Sequence, residues 1–146
     1  MTAFRFRLEK VLGWRRTELE LSETRFKQQM ALLAELDRRQ AELEAAGIRA
    51  EFQVRAARPL DGSDLAALEA FRRHIRVREQ DLSVERAEEH KKLEQRQQAM
   101  LEARRRCRLL ERLRERRLSE WQAATDRETE QLASESYLAG RERRTR

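Results

Sequence analysis

The sequence has little proline, glycine, cysteine or aromatic content: its 146 residues include one proline, four glycines, one cysteine and 5% aromatic residues. Because proline and glycine interrupt helices and strands, few turns are expected along this chain. The single cysteine, Cys107, excludes an internal disulfide, which is typical of a reducing compartment. No apolar run approaches the roughly 20 residues that span a bilayer, and the basic N-terminus lacks the apolar core of a signal peptide. We therefore expect a cytoplasmic protein.

Charge is what the sequence has in abundance. Charged residues make up 41% of the chain, and 33 basic residues against 27 acidic ones give a net charge of +6. Hydrophobic residues make up 39%, and many of them are alanines, so a compact globular core is not expected. Such a composition is typical of long helices or a coiled coil. The small positive excess indicates a mild preference for acidic partners.

One segment, residues 58–64, interrupts the chain strongly. Pro59 ends a helix, Asp61-Gly62 favours a turn, and Ser63 or Asp64 is expected to cap the helix that follows. We therefore predict an all-α fold, a long antiparallel two-helix coiled-coil hairpin with a longer second helix. The predicted single domain spans 1–146, with helix 1 over about 4–56, a loop over about 57–63, helix 2 over about 64–139 and a disordered basic tail over 140–146.

Apolar residues recur with heptad spacing in both predicted helices. If the helices are antiparallel neighbours around a bend near residue 60, the numbers of contacting residues add up to about 120. Cys107 then lies between the helices as a small buried hydrophobe. We call the predicted helix–helix interface the seam; its members are Leu8, Leu12, Leu19, Phe26, Leu33, Leu36, Leu43, Val54, Leu65, Leu68, Ile75, Leu82, Leu93, Met100, Cys107 and Leu110.

The predicted second helix is longer than the first, so the stretch beyond about Arg117 is expected to have no partner within the chain. Trp121 and Leu132 lie near one face of this stretch, with Leu118 and Thr125. An unpaired amphipathic face with a tryptophan is typical of a site for another protein or for self-association. A frayed tail with incidental apolar residues is the alternative.

The motifs of catalysis and metal binding are missing. His74 and His90 share no ligand spacing with Cys107, and there is no Gly-rich phosphate loop, CxxC pair or serine elbow. Two packed helices also offer no concave pocket in which to desolvate a substrate. We therefore expect no enzymatic activity, no cofactor, no metal and no small-molecule substrate.

Nucleic-acid binding is an alternative function, because arginines are dense between Arg104 and Arg117 and at 141–146. Against it, the arginines encircle the helix, Glu111 and Glu115 interrupt them, and aromatic residues for base stacking are lacking. Nucleic acid is therefore an unlikely partner. A generic structural or adaptor coiled coil is the other alternative.

Three segments carry a more specific pattern. The N-terminal string FRFRLEKVL (Phe4–Leu12) is followed by Trp14-Arg15-Arg16, the string LLERLRERR spans Leu109–Arg117, and an acidic stretch covers Glu128–Ser136. Together they resemble the FliJ family of flagellar type III export proteins. Members of that family open with aromatic and basic residues before "LEKLLxLR" and later carry an "hEKLhEKR"-like segment and a closing acidic one.

The resemblance implies a coiled-coil component of the flagellar export machine, peripheral to the inner-membrane export apparatus. Family members look like the central stalk subunit of rotary ATPases, and the ends of their hairpin associate with the export ATPase ring and promote its assembly or activity. The export gate protein and export chaperones are the other implied partners. The related injectisome stalk proteins share this shape, so flagellar and virulence-type export both stay open.

Under the predicted register, the first two matched segments lie side by side at one end of the hairpin. Basic residues there suit acidic loops lining a ring, which gives the predicted ATPase contacts Arg5, Arg7, Lys10, Arg112, Arg114, Arg116 and Trp121. Near the loop, the resemblance implies an export-gate or chaperone contact through Gln40, Leu43, Phe71 and Ile75. Leu43 and Ile75 are equally explained as seam residues that face each other.

Overall fold

A computed structural model describes residues 3–57 and 59–145. It contains two long α-helices packed against each other, α1 over Glu9–Ala56 and α2 over Gly62–Arg144. No strand is present within those residues. The predicted all-α class is therefore confirmed, and the second helix is the longer one.

Both helices differ from their predicted bounds. α1 begins at Glu9 and not near Phe4. The residues before Glu9 are not helical, and the Phe4 ring contacts Trp121 of α2. α2 continues to Arg144, so residues 140–144 are helical where a disordered tail was expected. One glycine costs a helix only about 1 kcal/mol, and the arginines of the last turn interact favourably with the helix dipole. Two residues of the predicted loop and tail, Arg58 and Arg146, lie outside the described residues.

The start of α2 is fixed at Asp61, not at Ser63 or Asp64 as the sequence suggested, by the half of a capping box in which the third helical residue accepts from the N-cap N–H. The Asp61 backbone N–H donates to the Asp64 carboxylate at 3.3 Å, and the Ser63 hydroxyl donates to the Asp61 carboxylate at 3.0 Å. The Asp61 carbonyl accepts the backbone N–H of Leu65, which is the first bond of the helical ladder. Asp61 is therefore the N-cap, and Asp64 occupies the third helical position of the box.

The chain divides into two compact units. The loop unit comprises Leu21–Leu101, and the terminal unit comprises Met1–Glu20 together with Glu102–Arg146. Each unit contains a segment of α1 and a segment of α2.

Polar contacts across the seam of the loop unit set an antiparallel register. Arg72 Nη2 lies 2.9 Å from Glu51 Oε1, and Arg86 Nε lies 2.6 Å from Asp37 Oδ1. Residue numbers thus fall along α1 as they rise along α2, and each pair adds up to a value close to the predicted sum of about 120.

Among the described residues of the loop unit, Gln29 is the one buried polar residue; it is 5% exposed. Its amide nitrogen donates to the Glu89 backbone carbonyl at 2.9 Å and to the Glu89 carboxylate at 2.5 Å. A buried polar group with satisfied partners specifies one register of a coiled coil over others.

The terminal unit has its own antiparallel contacts. Arg106 Nη1 lies 3.8 Å from Glu18 Oε1, and Arg16 Nε lies 3.4 Å from Glu111 Oε1. Leu12 is fully buried, and Cys107 is buried on the same side of α2 as Ala103. The packing here uses smaller residues than the leucine-rich sequence of the seam suggests.

The predicted seam residues differ in burial. Leu8 and Leu65 are 38% and 55% exposed, because Leu8 precedes α1 and Leu65 lies in the first turn of α2. These two residues were therefore wrongly placed in the seam. The buried members are Leu12, Leu36, Ile75, Met100 and Cys107, and the half-buried members are Leu19, Phe26, Leu33, Leu43, Val54, Leu68, Leu82, Leu93 and Leu110.

Candidate protein-interaction surface

The residues before α1 form a short non-helical segment, Ala3–Leu8, which alternates apolar and basic side chains. Phe4 and Phe6 are half-buried, whereas Arg5 and Arg7 are exposed. The alternation therefore supplies an apolar side to the protein and a basic side to solvent.

Phe4 anchors this segment to α2. Its ring centroid lies 6.0 Å from that of Trp121 with the planes tilted by 52°, which is a favourable aromatic geometry. The guanidinium of Arg114 lies 6.0 Å from the same Phe4 ring, and its Nε donates to Glu9 Oε2 at 3.0 Å. Arg114 thus connects the aromatic pair to the first residue of α1.

A groove of about 990 Å³ lies between the N-terminal segment and α2. We call it the N-terminal groove. Its apolar lining comes from Phe4, Phe6, Leu8, Leu113 and Trp121.

The charged lining of the N-terminal groove is entirely basic among the described residues: Arg5, Arg7 and Arg117. Arg117 is held by Glu120 at 3.0 Å, whereas Arg5 and Arg7 make no ion pair within the part of the chain that the structure describes. The groove therefore combines an apolar floor with cationic edges.

The net charge of the chain resides in the terminal unit. The loop unit has 15 basic and 15 acidic residues, whereas the terminal unit has 18 basic and 12 acidic ones. Between Arg104 and Arg117 alone there are eight arginines and two glutamates. The positive field of this protein is thus local, at the unit that contains the groove.

The predicted ATPase contacts all lie in the terminal unit, but they are not equivalent. Arg114 is half-buried and paired with Glu9, so its charge is already matched within the unit. Trp121 is half-buried against Phe4. The remaining five are exposed and make no ion pair with described residues, and we call them the basic collar: Arg5, Arg7, Lys10, Arg112 and Arg116.

The predicted gate or chaperone contacts lie in the loop unit. Ile75 is 7% exposed, so its side chain serves the helix–helix interface and offers no contact surface. A Cβ added to Gly47 would lie 3.3 Å from Ile75 Cδ1, which shows how closely the helices approach there. Leu43 and Gln40 are half-buried, and Phe71 is the exposed member of the set.

The end of α2 is exposed over its whole described length from Asp126 to Thr145. Large apolar residues there include Leu132, Tyr137 and Leu138. The unpartnered stretch begins after Thr125 and not after Arg117 as expected from the sequence. The reason is the register: the cross-helix pairs of the terminal unit add up to slightly more than the expected sum of about 120, and the N-terminal segment contacts α2 at Trp121.

Cys107 is buried, and its Sγ lies 3.7 Å from Glu111 Oε1. Burial raises the pKa of the Cys107 thiol, and the neighbouring Glu111 carboxylate raises it further. A protonated, inaccessible thiol is a poor nucleophile, so this residue has the packing role that its heptad position indicates.

No group of three or more potential metal ligands occurs within residues 3–57 and 59–145. In the same residues, neither helix has an apolar stretch of the length needed to cross a bilayer.

Comparison with known proteins adds no relative. No protein-family model, curated protein sequence or solved structure matches this chain. The candidate surface is therefore argued from its own residues.

Sequence reasoning missed six groove-lining residues as members of the site: Ala3, Phe4, Phe6, Leu8, Leu113 and Arg117. The signal that could have found the N-terminal part is the strict alternation of apolar and basic residues in Phe4–Leu8, which is a period of two and not the helical 3.6. No comparable pattern in the sequence distinguishes Leu113, because its spacing is the same as that of neighbouring residues in the helix–helix interface.

Proposed function

We propose that this protein is a stalk-like coiled coil of a type III export machine, whose terminal unit binds the export ATPase ring and promotes its assembly or activity. The observation that carries the proposal is the charge asymmetry: the whole net charge of +6 belongs to the terminal unit, and the loop unit is neutral. Acidic loops around the inside of a ring are the complementary surface for such a unit.

Two further observations support the proposal. The segments that resemble the FliJ family, Phe4–Leu12 and Leu109–Arg117, meet in the terminal unit through the ion pair of Glu9 with Arg114. The basic collar lies on those same two segments and is free of intramolecular ion pairs with described residues. Charges that are not used within the fold are available to a partner.

The proposal includes a peripheral position at the inner-membrane export apparatus and a second contact, with the export gate or chaperones, in the loop unit. Phe71 is the accessible residue for that contact, because it is exposed and lies in the neutral loop unit. An exposed aromatic ring binds a partner through apolar contact, so this second contact depends on Phe71 and not on the net charge of the loop unit.

The test is ATP hydrolysis by the flagellar export ATPase of the same organism, measured with and without this protein at moderate salt and combined with co-sedimentation. We expect stimulation and binding, both weakening as salt rises. The absence of both stimulation and binding would contradict the proposal and would favour a generic adaptor coiled coil. Binding to duplex or single-stranded DNA under the same conditions would instead favour the nucleic-acid alternative.

A matched pair of variants locates the contact. Arg112→Glu with Arg116→Glu reverses two collar charges on α2, and Arg73→Glu with Arg78→Glu reverses two exposed charges on α2 of the loop unit. We expect the first variant to lose stimulation and the second to retain it, with equal helicity by circular dichroism. Equal stimulation by both variants would exclude the collar as the contact.

A further inference from the structure

We infer that the N-terminal groove is the specificity element of the terminal unit: it binds a partner segment through an apolar side chain whose flanking residues are acidic. For the identity of the partner this inference rests on the proposed function, but the groove chemistry stands by itself.

The lining of the groove favours an inserted apolar side chain. The groove lies beside the half-buried rings of Phe4, Phe6 and Trp121, and it is open to solvent on the side of the arginines. Aromatic walls provide large apolar area at a small cost in side-chain entropy, which is the property of anchor pockets at protein interfaces.

The charge of the groove selects what surrounds that side chain. Its charged lining residues, as far as the chain is described, are arginines, and Arg5 and Arg7 have no carboxylate partner there. Guanidinium groups bind carboxylates through paired N–H donors. An acidic segment with one apolar residue in its middle therefore matches the groove, whereas a basic or uniformly polar segment does not.

Nucleic acid is the other polyanion that an arginine and aromatic surface attracts. The apolar floor argues against it, because Phe4 and Trp121 pack on each other and their faces are not both free for base stacking. The acidic peptide is therefore the occupant that the groove favours.

The experiment uses the full chain with Trp14→Phe, which leaves Trp121 as the only tryptophan reporter. Trp14 is 60% exposed, so its replacement leaves the packing intact. The probe is a synthetic peptide with one leucine between two glutamate tracts, titrated while Trp121 fluorescence is recorded. The control peptide has serine in place of the leucine. We expect the leucine peptide to bind about tenfold to a hundredfold more tightly.

Variants tie the binding to the groove. Phe6→Ser removes part of the apolar lining, and Arg5→Ser with Arg7→Ser removes two of its cations; we expect each to weaken peptide binding at least about tenfold. Arg73→Ser with Arg78→Ser is the matched control and should leave binding unchanged. Equal affinity for the two peptides, or binding that the groove variants do not alter, would overturn the inference.

Two outcomes separate this inference from the proposed function. Peptide binding without ATPase binding would retain the groove and reject the ring as its partner. The opposite result is also possible: the peptide does not bind, and Phe6→Ser stimulates the ATPase as well as the original chain does. That result would reject the groove and retain the ring as the partner. An oligothymidylate that displaces the peptide and binds more tightly would also overturn the inference.

Discussion

The loop unit and the terminal unit use the same heptad spacing for different purposes. In the loop unit, the cross-helix partners Arg72–Glu51, Arg86–Asp37 and Gln29–Glu89 satisfy one another. In the terminal unit, the cross-helix pairs Arg114–Glu9, Arg106–Glu18 and Arg16–Glu111 do the same, while the collar cations remain without ion-pair partners among the described residues. Apolar periodicity therefore identifies the interface between the helices, and the balance of charge distinguishes a self-contained region from one that offers a surface.

The largest expected effect tests the closed packing of the loop unit. Leu36 is 2% exposed, so Leu36→Ala should lower the free energy of unfolding by about 2–5 kcal/mol. Leu32 lies one turn earlier and is exposed, and Leu32→Ala should cost less than about 1 kcal/mol. Urea unfolding followed by circular dichroism measures both. Similar losses for the two variants would show that the loop unit is packed differently.

The second prediction concerns the buried polar contact of the loop unit. Gln29→Ala removes a donor to the Glu89 carboxylate, which is only 14% exposed, and should lower the free energy of unfolding by about 1.5–3 kcal/mol. The exposed neighbour Gln28 is the control, because Gln28→Ala should change it by less than about 0.5 kcal/mol. An unchanged stability for Gln29→Ala would mean that water replaces the glutamine.

The third prediction uses pH. Hydrogen bonding to Arg38 lowers the pKa of Glu35 to about 2, and bonds from Lys92 and Gln29 also lower the pKa of Glu89. A lowered folded pKa gives stability that is present above the unfolded value of 4.5 and is lost as the pH falls through the folded value. The thermal midpoint of unfolding should therefore decrease as the pH is lowered from about 4.5 to about 2.

Glu35→Gln is the control for this pH dependence. The variant should melt lower than the original chain at pH 7 and show a smaller drop in acid, since it has no carboxylate to protonate at that position. A thermal midpoint that stays constant or rises in acid would contradict the assignment. Because Glu35 is exposed to solvent, added salt should reduce the difference.

The smallest expected effect compares one glycine of each unit. A Cβ at Gly13 in the terminal unit meets no atom within 4 Å, so Gly13→Ala should stabilise the helix by about 1 kcal/mol. At Gly47 in the loop unit the added Cβ would lie 3.3 Å from Ile75 Cδ1, and the crowding should remove part of that gain. Thermal melts of the two variants measure the stabilisation at each position, and an equal gain would show that Ile75 moves aside freely.

Much of the fold follows from the sequence, because periodicity and one Pro-Asp-Gly segment are enough to specify two antiparallel helices. Leu12, Leu36 and Cys107 are buried because their spacing repeats the helical period. The capping residue was wrong because Asp61, Ser63 and Asp64 are all good caps, and only the backbone geometry selects one of them.

The candidate surface was less predictable than the fold. The basic residues at the ends of the chain are visible in the sequence, but their partners depend on ångström-scale register, and so Arg114 pairs with Glu9 while Arg112 and Arg116 stay exposed. The contact of Phe4 with Trp121 joins residues far apart in sequence. It follows from the antiparallel register, in which the residues before Glu9 lie beside the part of α2 that follows Arg114.

The non-helical segment Ala3–Leu8 has a consequence for hydrogen exchange. The backbone N–H groups from Ala3 to Leu8 donate no hydrogen bond to the described backbone, whereas those beyond the start of α1 belong to the helical ladder. Amide protons of the segment should therefore exchange with solvent at close to the rate of an unfolded peptide, although the Phe4 and Phe6 side chains are half-buried. A ligand that covers the segment has to immobilise it, and the first sign of such a ligand is protection of these six amides.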